Sequence, residues 1–330
     1  MLVSVCIIAH NEEIFLPKLL ENIKAQAYPH KDTEIVLVDN LSTDSTRNIM
    51  ESFVSNNDFY AVQIITGTKA LQATAWNQAI SNAKGDIIIR LDAHSSVPSN
   101  FVQNNVQNIL SGEYVCGGGR PNTVYNKTPW NNMLLAAEEG LFGVGVAKYR
   151  KKQDKKEYVS SIFHGAYRKE VFEKVGGFNE SLGRTEDNEF HYRVRKHGYK
   201  IACFPNVVSY QYIRSTFKGM INQKFSNGLW IGLTLGVCPK CLQLFYFAPL
   251  ALLLAYAVCI LAAFLGAAWM ILLLSAIYLL FDIYITITAS IGRSLNMCFL
   301  LLPLVFPVLH FSYGIGTLIG IVKGQVASNK

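Results

Sequence analysis

Beyond position 241 the chain almost runs out of charge. Of its 30 Lys and Arg and 23 Asp and Glu residues, only Asp282, Arg293, Lys323 and Lys330 lie there. Residues 242–265 carry none, and as a helix they would span about 36 Å, enough to cross a hydrocarbon core of about 30 Å with some tilt. Residues 267–290 form a second such stretch, joined to the first at Gly266, with Asp282 as the single charge. An acidic group at such a place is paired or functional. A third stretch, 297–322, is interrupted by Pro303 and Pro307 and reads as loosened by Gly314, Gly316 and Gly320. The expected organisation is a soluble domain at 1–215, an interfacial helix or linker at 216–241, and a membrane region at 242–330 with two or three transmembrane helices.

Orientation follows from the flanks. Residues 2–9 are apolar, but no basic residue precedes them and polar His10-Asn11-Glu12-Glu13 follows, which does not resemble a signal peptide. The soluble part is therefore expected in the cytoplasm, on a multi-pass protein of the cell membrane. A first hairpin then returns Arg293 to the cytoplasmic side. A third full crossing would put Lys323 and Lys330 outside, so a re-entrant or interfacial third segment stays open. Residues 217–235 interleave Phe217, Met220, Ile221, Phe225, Leu229 and Trp230 with Lys218, Gln223 and Lys224. That pattern fits an interfacial helix, or a buried helix of the soluble domain.

Within residues 1–116, short apolar runs at 3–9, 34–39, 61–66, 86–91 and 114–116 alternate with helical patterns, as in a doubly wound α/β sheet that is mostly parallel. The residues just after these runs are polar: Ala9-His10-Asn11-Glu12, then Asp39-Asn40, Gly67-Thr68-Lys69 and Asp92-Ala93-His94. In-register βα units would gather them on one rim, where open α/β sheets bind ligands. Neither G-x-G-x-x-G nor a P-loop is present, so a nucleotide on this rim would be held by side chains and a metal without a glycine cradle. Asp92 and His94 can grip one divalent ion, although a strand-ending Asp beside a surface His would read the same. Seven scattered cysteines, including Cys238-Pro239-Lys240-Cys241, read as structural.

Downstream, Gly117-Gly118-Gly119-Arg120-Pro121 reads as a tight, mobile turn, with Arg120 near a phosphate or simply solvated. Residues 130–146 read as a loose helix at best, because of Gly140, Gly143 and Gly145, and 150–156 as a basic loop, solvated or against anionic headgroups. Gly176-Gly177 should end a short helix. Thr185 can cap the next one with Asn188 at its N3 position, which puts Glu186 and Asp187 in the first turn, where the helix dipole favours an ionised carboxylate. They could act as a base or merely satisfy a helix end.

Taken in order, Val3-Ser4-Val5 to Asn11-Glu12-Glu13, Val38-Asp39-Asn40 with Ser42 and Asp44, the stretch 70–83 ahead of Gly85-Asp86, Leu91-Asp92-Ala93-His94, His164-Gly165-Ala166, Gly176-Gly177-Phe178-Asn179-Glu180 and Glu186-Asp187 resemble the family 2 glycosyltransferases of the GT-A type. The likeness is greatest to their succinoglycan-biosynthesis subfamily, and it covers about residues 1–235. The resemblance implies a GT-A nucleotide-diphospho-sugar transferase domain ahead of the helical transmembrane region. It implies a nucleotide-diphosphate sugar, a UDP-sugar by its uracil and ribose, bound by Ala9, Asn11, Glu12, Asp39, Lys69 and Asp92. Mg²⁺ or Mn²⁺ would be held by Asp92 and His94, Asp187 with Glu186 would be catalytic, and His164, Gly165 and Trp230 would lie on the acceptor side. His94 departs from the family's Asp-x-Asp motif, which removes one carboxylate from the ion. The processive Gln-x-x-Arg-Trp signature is missing. Transfer of one sugar per encounter, with inversion, to a polyprenyl-diphosphate-linked glycan for an exopolysaccharide or capsule is the leading expectation. Membrane lipids are expected as partners and nucleic acid is not. Direct transfer to polyprenyl phosphate and an inactive membrane scaffold are the alternatives.

Overall fold

The computed structural model describes residues 1–140 and 153–328. Gly143, Gly145 and Val146 of the expected helix, Arg150-Lys151-Lys152 of the basic loop, and Lys330 lie outside the described residues. The strands are β1 (Val3–Ala9), β2 (Thr33–Asp39), β3 (Ala61–Thr66), β4 (Ile87–Asp92), β5 (Ser95–Ser96), β6 (Val115–Gly119), β7 (Asn122–Thr123), β8 (Glu157–Tyr158), β9 (Gly165–Arg168), β10 (Ile201–Val208) and β11 (Tyr210–Tyr212). The helices are α1 (Leu16–Lys24), α2 (Thr46–Val54), α3 (Gln72–Asn82), α4 (Phe101–Leu110), α5 (Pro129–Glu139), α6 (Lys169–Val175), α7 (Glu186–Lys196), α8 (Phe217–Thr234), α9 (Ala248–Phe264), α10 (Trp269–Ser290) and α11 (Leu302–Ser328). They fall into two compact units, one of Met1–Pro121 with the described part of 148–212, the other of residues 122–147 and 213–330, again as far as described.

The first unit is built on an eight-stranded mixed sheet of order β3-β2-β1-β4-β9-β6-β10-β8. β1, β2, β3 and β4 are parallel, β9 runs against both β4 and β6, and β10 is parallel to β6. Apolar side chains fill both faces. Val5, Ile7, Ile35, Leu37, Ile89 and Leu91 pack under α1, α2 and α4, while Cys6, Ile8, Val36, Val38 and Ile88 pack under α3 and α7. Burial on both faces is why these strands read as continuous apolar runs. One expectation is corrected here: Gly117-Gly118-Gly119 is no turn but the body of β6. A Cβ on Gly118 would lie 1.6 Å from the Val207 carbonyl oxygen. The glycines are there so that β10 can close against β6.

In the second unit, α9 and α10 form an apolar hairpin about Gly266, whose φ is 89°. Among the described residues, three segments are long and apolar enough to cross a membrane: Leu244–Phe264, Trp269–Ser290 and Met297–Gly324. The described part of the expected loose helix is a regular one, α5, with Pro129 at its first position and the Thr128 hydroxyl accepting from Asn131 N at 3.1 Å. Gly140 stands just past its end, where glycine costs the helix nothing. Its last turn carries Glu138, 2.9 Å from Lys224 Nζ of α8, and Glu139, paired with Arg293.

The glycines of the last helix do not loosen it. Gly316 and Gly320 of α11 face Gly228 and Gly232 of α8, and a Cβ at any of them would stand 2.1–2.4 Å from a backbone oxygen of the other helix. The two small-x-x-x-small stripes let the backbones touch, the kind of packing that holds helices together where lipid removes the hydrophobic drive. Ser312 adds a hydrogen bond to the Ile221 carbonyl at 3.1 Å. Gly320→Leu should therefore separate α8 from α11. We expect a loss on the order of 3 kcal/mol, read as a lowered thermal midpoint in detergent, whereas Leu318→Ala, at an exposed position of α11, should change it little.

Candidate active site

The parallel register sets Ala9 beside Asp39 and Ile8 beside Asp92, with Thr66 beyond Asp39, so the carboxyl ends of β1, β2, β3 and β4 form one rim. Two loops on it are laced together. Asn11, at φ 56°, accepts from Thr43 N at 2.8 Å through Oδ1, and its own N donates to Ser42 Oγ at 3.0 Å. Glu12 N donates to Thr46 Oγ1 and Ser45 N to Glu13 Oε2. Asp39 is buried and accepts from Ser42 N at 3.1 Å. The HNEE stretch that stands where a glycine cradle would be is thus a brace that fixes the rim. Asn11 spends its carbonyl on that brace. Lys69 is exposed in the β3–α3 loop.

At the end of β4, Asp92 is only 4 % exposed. Burial pushes its carboxyl up, but the imidazoles of His164 and His94 and the charge of Arg90 outweigh burial and bring the pKa down to about 2. His164 starts toward β9, with Nε2 at 3.7 Å from Asp92 Oδ2, an electrostatic contact too long for a hydrogen bond, and Nδ1 at 2.8 Å from Ser209 Oγ. Burial pushes His164 below its ordinary value, so at neutral pH an ionised Asp92 faces a neutral imidazole. His164, expected on the acceptor side with Gly165, is placed by the structure against Asp92. His94 has Nδ1 3.2 Å from Glu12 Oε1 and Nε2 2.6 Å from the Gln211 amide nitrogen. In the tautomer these contacts favour, Nδ1–H donates to Glu12 and Nε2 accepts from the Gln211 amide, a bond that an ion at Nε2 would displace.

These groups suit a divalent cation. An ionised carboxylate is ready to bind, a carboxylate orients His94 from behind as at many histidine metal ligands, and His164 Nε2 is buried without a hydrogen-bond partner among the described residues. Among the described residues no three His, Cys, Asp or Glu side chains converge as a closed metal site. Asp92 and His94 would hold the ion only with oxygens of a bound ligand and water, which is how Mg²⁺ and Mn²⁺ are held when phosphates complete the shell.

On α7, Thr185 is the N-cap but makes no side-chain capping bond. The expected pairing of Thr185 with the amide at Asn188 is replaced: Asn188 N donates to Asp187 Oδ1 at 2.8 Å. Glu186 is 4 % exposed, and its Oε2 has no hydrogen-bond partner among the described residues. Burial, with the neighbouring Asp187 charge, pushes Glu186 up to about 8, so it is protonated at neutral pH while Asp187 is half-buried. The two adjacent carboxyls thus have unlike surroundings, one buried and one half-buried. Trp230 lies on α8, in the second unit. Sequence reasoning gave no role to Arg90 and Gln211 and did not bring His164 to Asp92. A signal for Arg90 was available, since it is a lone cation inside the apolar run of β4.

A mixed sheet with an acidic rim, a metal-ready carboxylate and a second carboxyl pair on a helix N-terminus defines a GT-A nucleotide-sugar transferase. The chain matches glycosyl transferase family 2 over residues 4–176, half of its length, and belongs to that family; it is a glycosyltransferase. It is 28 % identical over 330 residues, 98 % of each chain, to the dolichyl N-acetyl-alpha-D-glucosaminyl phosphate 3-beta-D-2,3-diacetamido-2,3-dideoxy-beta-D-glucuronosyltransferase of Methanococcus voltae. To the succinoglycan biosynthesis protein ExoA of Rhizobium meliloti it is 27 % identical over 220 residues, 66 % of this chain and 65 % of that one. Among solved structures, the mannosyltransferase PcManGT of Pyrobaculum calidifontis, in complex with GDP-Man and Mn²⁺, superposes with a TM-score of 0.59 at 18 % identity, over 97 % of this chain and 86 % of that one. At that identity the likeness shows the fold.

The raised Glu186 gives a stability prediction. In the unfolded chain it ionises near 4.5 and in the fold near 8, so the stability it contributes is complete below pH 4.5 and is lost as pH rises toward 8. Glu186→Gln, neutral at every pH, should be near neutral at pH 5 and stabilising by on the order of 2 kcal/mol at pH 9. Thermal unfolding of both proteins at the two pH values checks it.

Proposed function

We propose that the protein transfers one sugar per encounter, with inversion, from a nucleotide-diphosphate sugar, a UDP-sugar by preference, to a polyprenyl-linked glycan at the cytoplasmic face of the membrane, in assembly of an exopolysaccharide or capsule. The observation that carries this reading is the pair of adjacent carboxyl groups at the α7 N-terminus, Glu186 buried and Asp187 half-buried. Glu186 is held neutral, which leaves Asp187 to accept the proton of an attacking hydroxyl. Asp39 and the braced loops after β1 and β2 stand where the nucleoside would lie, and Asp92 with His94 where the diphosphate would lie. A divalent ion bound there would neutralise the charge that builds on the departing nucleoside diphosphate. The buried, ionised Asp92 keeps that place anionic and selective for a cation-bridged ligand. Displacement in one step by a hydroxyl activated by one base inverts the anomeric carbon.

The lipid-linked acceptor is supported by the three apolar segments after residue 243 and by the relative from Methanococcus voltae, alike over its whole length, whose name specifies a sugar already carried on dolichyl phosphate. That relative favours a glycosylated lipid over bare polyprenyl phosphate. Orientation with the catalytic unit inside follows from Arg293 on the flank of the first hairpin. Asp187→Asn should leave donor binding within about threefold and lower turnover by about 10³-fold or more, while Asp92→Ala should abolish Mn²⁺-dependent donor binding. The check is transfer and donor binding by purified protein with a panel of nucleotide sugars, with and without Mn²⁺, offering polyprenyl phosphate and its glycosylated form as acceptors. Full turnover in Asp187→Asn, or sugar placed only on bare polyprenyl phosphate, would sink the respective part of this reading.

A further inference from the structure

The segment that brings His164 to Asp92 is itself held by one buried imidazole. His191, on α7, has both ring nitrogens engaged: Nδ1 lies 2.8 Å from Ser161 Oγ and Nε2 lies 2.8 Å from Tyr167 Oη. Ser161 and Tyr167 stand at equal spacing before and after His164 along the chain, so a single ring grips that segment on both sides of His164. All three groups are buried. Burial, with the charges of Arg90 and Arg195, holds His191 well below its ordinary value, so the ring is neutral. One nitrogen then donates to a hydroxyl and the other accepts from one. Both bonds are kept only while α7 and the segment hold one relative position, and a buried polar atom left without its partner is costly.

Space for the grip comes from Gly165. A Cβ there would stand 2.3 Å from Ile162 Cδ1 and 3.2 Å from Tyr167 Oη. The two ends of the grip carry the chemistry. On one side His164, with Nδ1 2.8 Å from Ser209 Oγ, keeps Nε2 at 3.7 Å from Asp92 Oδ2. On the other, His191 follows Asp187 by one turn of α7, which puts the two on the same face of the helix. Phe190 also packs α7 down, with its ring centre 5.2 Å from that of Phe172 and 4.5 Å from that of Phe178, but apolar contact is non-directional. Arg193 ties the helix toward α6 through the Val175 and Gly177 carbonyls, each at 2.6 Å. Toward β9 and the residues before it, His191 supplies two directional bonds.

We propose that His191 is a positioning residue for the transfer reaction: by clamping residues 161–167 on both sides of His164, it sets the place of the Asp187 carboxylate relative to Asp92. The inference rests on the reading of Asp187 as the base. An attacking hydroxyl must meet its base and the donor at once, and a misplacement of about 1 Å in such an arrangement can cost about 10²-fold in rate.

The test is kcat and the donor KM in Tyr167→Phe, Ser161→Ala, His191→Leu and His191→Gln, each assayed as folded protein well below its own thermal midpoint. Tyr167→Phe and Ser161→Ala each remove one oxygen and should lower kcat about tenfold with the donor KM within about twofold, and His191→Leu, which frees both sides, should lower kcat about a hundredfold. His191→Gln, whose amide both donates and accepts, should recover about tenfold of that loss. In the His191→Leu background, Tyr167→Phe should change kcat by less than about twofold, because the bond is already gone. A merely structural network would lower the thermal midpoint and leave kcat of the folded enzyme unmoved, which overturns the inference. A donor KM raised at unchanged kcat overturns it too, as does a Tyr167→Phe effect equally large with and without His191. If His191→Leu does not fold, unmoved kcat in both single-oxygen variants overturns it equally. Full turnover in Asp187→Asn would remove the base assignment and this inference together, whereas an inactive Asp187→Asn beside unmoved kcat in Tyr167→Phe and Ser161→Ala refutes the inference alone.

Discussion

The pairing of β1 with β2 on one side and β4 on the other, parallel and in register, is the constraint on which the rest of the first unit depends. It sets Ala9 beside Asp39 and Ile8 beside Asp92, so that three loops of unrelated sequence empty onto a common rim. A one-residue slip of β4 against β1 would turn Asp92 from the face it shares with Ile88 and Arg90 to the face of Ile89 and Leu91. The register of β4 is therefore also the ruler that places the carboxylate. On the same strand, Arg90 and Asp92 share a face, and β4 thus carries both a cation and an anion toward the catalytic side of the sheet.

Charge is managed there by unlike neighbours at equal burial. Burial raises both carboxyls, but the imidazoles and guanidinium near Asp92 outweigh it, whereas the adjacent Asp187 adds to it at Glu186. The local sequence is acidic in both places and cannot distinguish them. What does so is tertiary: the approach to β9 brings His164 to Asp92, and the start of α7 gives Glu186 Oε2 no donor among the described residues. The adjacent pair Glu186-Asp187 was legible as a candidate acid or base, but which of the two holds the proton was not.

The same divide runs through the fold. The alternation of strands and helices to residue 110, the rim, and the three apolar segments could be read from period and composition, since each is a repeating local signal. The glycines misled. Gly117-Gly118-Gly119 looked like a turn and is a strand, Gly316 and Gly320 looked like weak points and are contact surfaces, and in both cases the partner backbone, Val207 or Leu229, is distant in sequence. A glycine states that something comes close; only the fold says what. Likewise, Gly140 lies at the edge of α5 and does not weaken it.

The glycine seam between α8 and α11 has a consequence for how the chain is made. Synthesis proceeds from the amino end, and domains fold as they emerge. α8 is complete by residue 234, yet the backbone it rests on spans residues 313–321, at the far end of two intervening apolar helices. During translation its groove of bare glycines has nothing to close against until those helices have been placed. The second unit therefore matures late and all together, and the helix that leads out of the catalytic unit is among the last pieces to find its final seat.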